Sequence, residues 1–200
     1  MLDHTENIHM TTTYTQLPKP VVLIGMMGVG KTSIGRRLAK GLGVEFIDSD
    51  LEVENASHCS IADIFEIYGE KAFHEVEHRV IKRLLSEQPH VLATGGSAFT
   101  LKDTHKLIKE HGISVWLKVD IETLIPRIDR RDHRPQFQNG NTRKTLEAFF
   151  EKYVPFYEKA DIHVDCSKAT PDETTEKIIL ELNRHVSKQQ IKKGQQIHHG

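Results

Sequence analysis

Twelve consecutive residues, Val-Val-Leu-Ile-Gly-Met-Met-Gly-Val-Gly-Lys-Thr at 21–32, constrain this chain more than any other stretch. Val21 to Ile24 are apolar without alternation, as suits a parallel strand buried on both faces. Gly25, four residues, then Gly30-Lys31-Thr32 fit the phosphate-binding loop G-x-x-x-x-G-K-[ST]. Its glycines let the backbone curl so that successive N–H groups point at phosphate oxygens. Gly25, Gly28, Val29, Gly30, Lys31, Thr32 and Ser33 are therefore the expected nucleotide-binding residues. Lys31 is placed to reach the β- and γ-phosphates, and the Thr32 hydroxyl to ligate Mg²⁺. Ser33 to Leu42 have helix-forming composition, so the positive end of that helix faces the phosphates. An ordinary glycine-rich turn would explain the glycines but not the strand before them, the helix after them, or Lys31-Thr32.

Composition narrows the partners. Basic and acidic residues number 27 and 28, a net charge of −1. That removes any general electrostatic case for nucleic acid or an anionic membrane as partner. Cys59 and Cys166 form no C-x-x-C pair, which points to a reducing, cytoplasmic location. No apolar run is long enough to span a bilayer. Residues 1–20 are acidic and polar where a signal peptide needs a basic and then an apolar stretch. A cytoplasmic monomer is the expectation.

Residues 1–18 read as a flexible leader, with Met10 an alternative start, 19–187 as a single domain, and 188–200 as a disordered polar tail. After the strand at 21–24 and a helix at about 31–42, Gly43 supplies a left-handed cap. A short strand at 44–47 leads into Asp48-Ser49-Asp50, at the strand end where open α/β sheets bind ligands. Residues 51–58 and 60–86 are expected to be helical, with Ser60 as N-cap. Ile61, Ile64, Phe65 and Tyr68 share one helix face. Phe73, Val76, Val80, Ile81, Leu84 and Leu85 repeat it, leaving His74 and Glu77 at the edge of the stripe. A strand at 91–93 runs into Thr94-Gly95-Gly96-Ser97. Then follow a helix at 101–111, a strand at 113–119, a helix at 120–130 and an irregular polar stretch at about 130–142. A helix at 143–153, a strand at 162–164 and a helix at 171–186 opened by Pro171 complete the pattern.

Strands alternating with helices imply a three-layer α/β domain, a five-stranded parallel sheet with helices on both faces. The strand-to-helix loops then gather at one edge and bring the phosphate loop, Asp48, Asp50 and Gly95-Gly96 together. Taken singly, Asp48 or Asp50 reads also as an N-cap, and Gly95-Gly96 as a tight turn. Their convergence favours a site.

Residues 21–165 resemble shikimate kinase, a P-loop kinase family similar to the nucleoside-monophosphate kinases. The resemblance rests on the loop at 25–32, Phe46-Ile47-Asp48-Ser49-Asp50, Ser60-Ile61-Ala62-Asp63-Ile64-Phe65, Gly69-Glu70 with Phe73 and Glu77, Ala93-Thr94-Gly95-Gly96, Arg134-Pro135, and Tyr157 with Ala160-Asp161. It implies a P-loop kinase fold with a lid at about 130–142, ATP and Mg²⁺ as cofactors, and phosphate transfer to a small-molecule hydroxyl, giving shikimate 3-phosphate from shikimate. It also implies roles. Asp50 contacts the acceptor hydroxyl as orienter or base. Asp48 holds Mg²⁺ through its water shell. Gly95 and Gly96 are backbone donors near the acceptor. Arg134 closes over the transferring phosphoryl group, and Arg127 lies against the adenine ring.

The chain also departs from the family pattern. The usual Phe-Arg-x-x-Glu reads Phe73-His74-Glu75-Val76-Glu77, so His74 stands where an arginine holds the substrate carboxylate. The third glycine of Gly-Gly-Gly is Ser97. A second carboxylate-binding arginine falls on Tyr153 counting back from Pro155, or on Lys152 with one inserted residue. Each charge-assisted bond to a carboxylate contributes about 1.5–3 kcal/mol, so the acceptor pocket is altered while the donor machinery is complete. The expected catalytic set is Lys31, Asp50 and Arg134, and the acceptor set is Asp50, His74, Gly95, Gly96, Ser97, Lys152 and Tyr153. A paralogue acting on another small polyol, and a nucleotide-binding regulator without kinase activity, are the competing readings.

Overall fold

The four apolar residues at 21–24 form β1 (Val21–Ile24), the central and wholly buried strand of a five-stranded parallel sheet. The others are β2 (Phe46–Asp48), β3 (Val91–Ala93), β4 (Ile113–Lys118) and β5 (Ile162–Asp165), in the order β2-β3-β1-β4-β5. Val21 pairs with Val91 on one side and Ile113 on the other. Burying such a side chain contributes about 1.5–3 kcal/mol, which is why an unbroken apolar run seeks the middle of the sheet. The computed structural model describes residues 17–130 and 141–197. No described helix is long and apolar enough to cross a membrane.

Among the described residues, seven helices connect and cover the strands: α1 (Lys31–Leu42), α2 (Ser49–Ser57), α3 (Ile61–Leu84), α4 (Lys102–His111), α5 (Ile121–Asp129), α6 (Thr142–Tyr157) and α7 (Pro171–Ile197). A 3-10 turn at Ala98–Thr100 precedes α4. α1 packs on α7, while α3 packs on α4 and α5 on α6. The chain steps one way across the sheet from β1 to β2 and the other way afterwards. Right-handed crossovers then put the two helix groups on opposite faces.

Local chemistry sets several boundaries as the sequence implies. Gly43 ends α1 in a left-handed conformation with φ 67°. Ser60 caps α3 by accepting from the Asp63 amide at 3.1 Å. Asp120 caps α5 and Asn141 caps α6. Thr142 donates to Asp129 at 2.9 Å and so ties the two ends of the expected lid together.

Other expectations need correction. The stretch 60–86 is not one continuous helix, because Gly69 breaks α3 at φ 81°, ψ 171°, a backbone state open mainly to glycine. Phe65 and Tyr68, expected on the buried face, are 42% and 67% exposed. The break turns the preceding segment away from the stripe that follows, and the Phe65 ring meets that of Phe73 at 4.7 Å. α6 runs past the expected end at 153 and through Pro155, because Tyr157 is anchored in the core. α7 continues to Ile197, so most of the stretch expected to be a disordered tail is helical.

Candidate active site

The phosphate loop joins β1 to α1. Gly25 has φ 140°, and a Cβ there would lie 2.8 Å from the Leu117 carbonyl oxygen, so no other residue fits. Gly30 stands at the N-cap of α1 with φ 105°, and the first turn has neither a side-chain cap nor an acidic residue. The helix therefore presents its N–H groups and positive end to the loop. Lys31 Nζ donates to the carbonyls of Gly25 at 2.8 Å and Met26 at 3.2 Å, which holds the ammonium over the loop.

Beside it, the Thr32 hydroxyl donates to Asp48 Oδ2 at 3.0 Å. The other oxygen of Asp48 accepts from the Asp50 amide at 3.2 Å. Asp48 therefore caps α2, one of the two readings of its sequence position, and at the same time faces the phosphate loop. A hydroxyl and a carboxylate this close are hard oxygen donors suited to Mg²⁺ that keeps most of its waters and takes phosphate oxygens as well. Among the described residues no group of three His, Cys, Asp or Glu side chains could hold a metal by itself.

Asp50 is raised to a pKa of about 6, by burial first, then by Asp48 and Glu77, with Lys31 opposing. It shares a wall with Gly95: a Cβ there would lie 2.8 Å from Glu77 Oε1 and 3.1 Å from Asp50 Oδ1. Gly95 is thus the place where backbone and two carboxylates approach most closely. Glu77, expected at the edge of its helix stripe, is fully buried. Its position four residues from both Phe73 and Ile81 is the signal that could have placed it inside. His74 Nδ1 lies 3.3 Å from Glu77 Oε2, and its Nε2 lies 3.4 Å from Glu70 Oε1. The Glu77 contact, ahead of the opposing effect of burial, raises the His74 pKa above its ordinary value.

Gly96 is held from α6, where the Tyr157 hydroxyl donates to its carbonyl at 2.5 Å. Tyr153 is half-buried, stacked on Phe149 at 5.6 Å and tilted against Tyr157 at 6.3 Å. Lys152 is exposed, with its ammonium 5.2 Å from the centre of the Tyr153 ring. Of the two residues at this sequence position, Tyr153 therefore faces the Tyr157–Gly96 wall. The Ser97 carbonyl caps the 3-10 turn, accepting from the Thr100 amide at 2.9 Å and hydroxyl at 2.7 Å.

On the other side of the phosphate loop lies a cavity of about 420 Å³, bordered by Gly28, Val29, Ser33, Arg127, Cys166 and Thr174. Arg127 donates to the Val29 carbonyl at 3.2 Å, which sets its guanidinium at the cavity rim. Cys166 and Thr174 are not among the site residues that the sequence suggests, and nothing in their local pattern marks them. Arg134 and Pro135 lie outside the described residues.

Comparison with known proteins agrees with this geometry. A family model described as shikimate kinase matches residues 27–183. A shikimate kinase of Ruegeria pomeroyi is 50% identical over 148 residues, covering 74% of this chain and 76% of the relative. One of Caulobacter vibrioides is 47% identical over 166 residues, covering 83% of each. Among solved structures, the shikimate kinase of Acinetobacter baumannii in complex with shikimate superposes with a TM-score of 0.77 at 35% identity. It covers 83% of this chain and 94% of that one.

Proposed function

This chain belongs to the shikimate kinase family, and from that premise we propose how its own residues divide the transfer of the ATP γ-phosphoryl group to shikimate. It is an ATP-dependent small-molecule kinase. The loop from Gly25 to Thr32 cradles the phosphates through backbone N–H groups, and Lys31 neutralises their charge. Thr32 and Asp48 would hold Mg²⁺, which would supply positive charge to offset the charge developing on the phosphates. Ser33 and Arg127 border the cavity for the nucleoside end. Asp50 orients the acceptor hydroxyl and accepts its proton as the oxygen bonds to the γ-phosphorus and the bond to ADP breaks. Gly95, Gly96 and Ser97 form the facing backbone wall, and Arg134 supplies a planar charge over the transferring group. His74 is the cation for the acceptor carboxylate, with Tyr153 bordering the pocket in place of a second one and Lys152 at its outer edge.

The observation that carries this reading is the placement of Asp50: half-buried, beside Gly95, two residues on from Asp48 of the Thr32–Asp48 pair. A carboxylate with a pKa of about 6 is mostly ionised near neutrality and still basic enough to take a proton. We place the enzyme in the cytoplasm, in keeping with its two free cysteines, and take it as a monomer. The test is shikimate-dependent ADP release. The natural sequence should show it, and Lys31→Ala and Asp50→Asn should each lower it by on the order of 10²-fold or more with the fold unchanged. Wild-type turnover in either variant, or ADP release driven by an uncharged polyol and not by shikimate, refutes the assignment.

A further inference from the structure

The cavity beside the phosphate loop takes two of its walls from helices that lie far apart in the chain. α1 contributes Ser33 and Ile34, and the start of α7 contributes Pro171 and Thr174. Arg37, one turn beyond Ser33 on α1, joins the two. Its Nη1 donates to the Ser33 hydroxyl at 2.8 Å and to the Ser33 carbonyl at 3.1 Å. Its Nε donates to Asp172 Oδ1 at 2.8 Å, across 135 residues of sequence.

The first turn of α7 is capped by its own neighbours. The Thr170 amide and hydroxyl donate to Glu173 Oε2 at 2.7 and 3.0 Å, and the Glu173 amide donates to Thr170 Oγ1 at 3.2 Å. Those bonds shape the turn without tying it to α1. Pro171, Asp172 and Glu173 are exposed, and the buried apolar anchors of the helix, Ile178 and Leu182, come later. Asp172 is the residue of this turn whose side chain reaches α1. An exposed ion pair by itself contributes little to stability. Here the two bonds to Ser33 hold the guanidinium in one orientation, so a planar fork spans a fixed gap.

We propose that Arg37 is a positioning residue for the nucleoside end of the nucleotide: by bridging Ser33 to Asp172 it sets the gap between α1 and the first turn of α7, and with it the width of the cavity that takes the base and ribose. This rests on the assignment of that cavity to the nucleoside end given above. Arg37 is not among the residues bordering the cavity, so it acts through the two walls it joins. The phosphates are held by the loop itself and do not depend on the link.

Calorimetric titration with ADP and with inorganic pyrophosphate, at one fixed Mg²⁺ concentration, separates the two ends of the site. Arg37→Gln and Asp172→Asn should each raise the Kd for ADP by about threefold to tenfold and leave that for pyrophosphate within about twofold, since pyrophosphate meets the phosphate loop alone. In turnover, KM for ATP should rise by the same factor with the maximal rate nearly unchanged. The double variant should bind ADP no more weakly than the single ones, because either substitution already breaks the link. Arg37→Lys should restore affinity only in part, as one ammonium does not reproduce the fork between Ser33 and Asp172. Arg184→Gln removes an ion pair within α7, to Glu181 at 2.6 Å, and should leave ADP affinity unchanged. An unmoved Kd for ADP in Arg37→Gln, equal weakening of ADP and pyrophosphate, or additive effects in the double variant overturns the inference. If Arg37→Gln does not fold, Asp172→Asn at its exposed position carries the same comparison. Failure of both to fold would make the pair a structural one and overturn the inference as well. The titrations need no acceptor. A selective loss of ADP affinity without shikimate turnover would refute the proposed reaction alone, and shikimate turnover with an unmoved Kd for ADP would refute the positioning role alone.

Discussion

The Thr32 hydroxyl donates to Asp48 Oδ2 at 3.0 Å, joining the end of the phosphate loop to the carboxylate that also caps α2. One side chain thereby ties the position of the donor nucleotide to the start of the helix that carries Asp50. Thr32→Val keeps the shape and removes the hydroxyl. It should weaken the response of turnover to Mg²⁺, so that the half-saturating concentration rises by about tenfold or more. An unchanged Mg²⁺ titration would remove Thr32 from the metal site.

Gly95→Ala puts a methyl group 2.8 Å from Glu77 Oε1, an oxygen buried in the protein and linked through its carboxylate to His74. The carboxylate must move, and the Asp50 wall with it. The expected result is a Michaelis constant for shikimate raised about tenfold or more, with that for ATP little altered. Equal effects on both substrates would place the glycine elsewhere in the cycle.

His74 sets a pH dependence whose sign can be worked out. Its pKa is raised in the folded protein by Glu77 and Glu70, so the stabilisation is present in full below the unfolded value of 6.5 and is lost as pH rises through the higher folded value. If His74 holds the acceptor carboxylate, the cation offered to it disappears over the same range. The Michaelis constant for shikimate should climb by up to about tenfold per pH unit above that value. His74→Arg should lower the constant and flatten the rise, because a permanently charged fork replaces a titrating ring. A constant independent of pH from 6 to about 9 in the natural sequence would exclude His74 from acceptor binding.

Arg134→Lys keeps a positive charge and loses the planar fork. If Arg134 closes over the phosphoryl group, maximal turnover should fall by on the order of 10²-fold or more with shikimate affinity nearly unchanged. A change confined to the Michaelis constants would assign it to binding instead.

Tyr157 is fully buried and spans from α6 to the Gly96 carbonyl at 2.5 Å. Tyr157→Phe leaves the ring and removes the donor. The loss should be about 1 kcal/mol of stability, seen as a fall of roughly 2–4 °C in Tm for a chain of this size. A melting temperature unchanged by the substitution would mean that water replaces the hydroxyl at Gly96.

Features that depend on neighbours in the chain are legible in the sequence itself. The run 21–32 specifies a buried strand, a loop and a helix because each residue's role there is set within one turn of chain. The Ser60 cap and the Gly43 stop are equally local. Asp48 and Asp50 can be assigned to the strand edge because the alternation of strands and helices dictates where loops collect. What only the tertiary structure decided is which side chains meet across elements. Periodicity puts Glu77 at the rim of a stripe, but α3 breaks at Gly69, and the segment after it turns Glu77 fully inward against Gly95 of another loop. Likewise, counting residues cannot choose between Tyr153 and Lys152. The choice comes from Tyr157, whose burial carries α6 through Pro155 and turns Tyr153 inward while Lys152 stays in solvent. Helical spacing reports a face, whereas the partner of that face is chosen by packing between segments far apart in the chain.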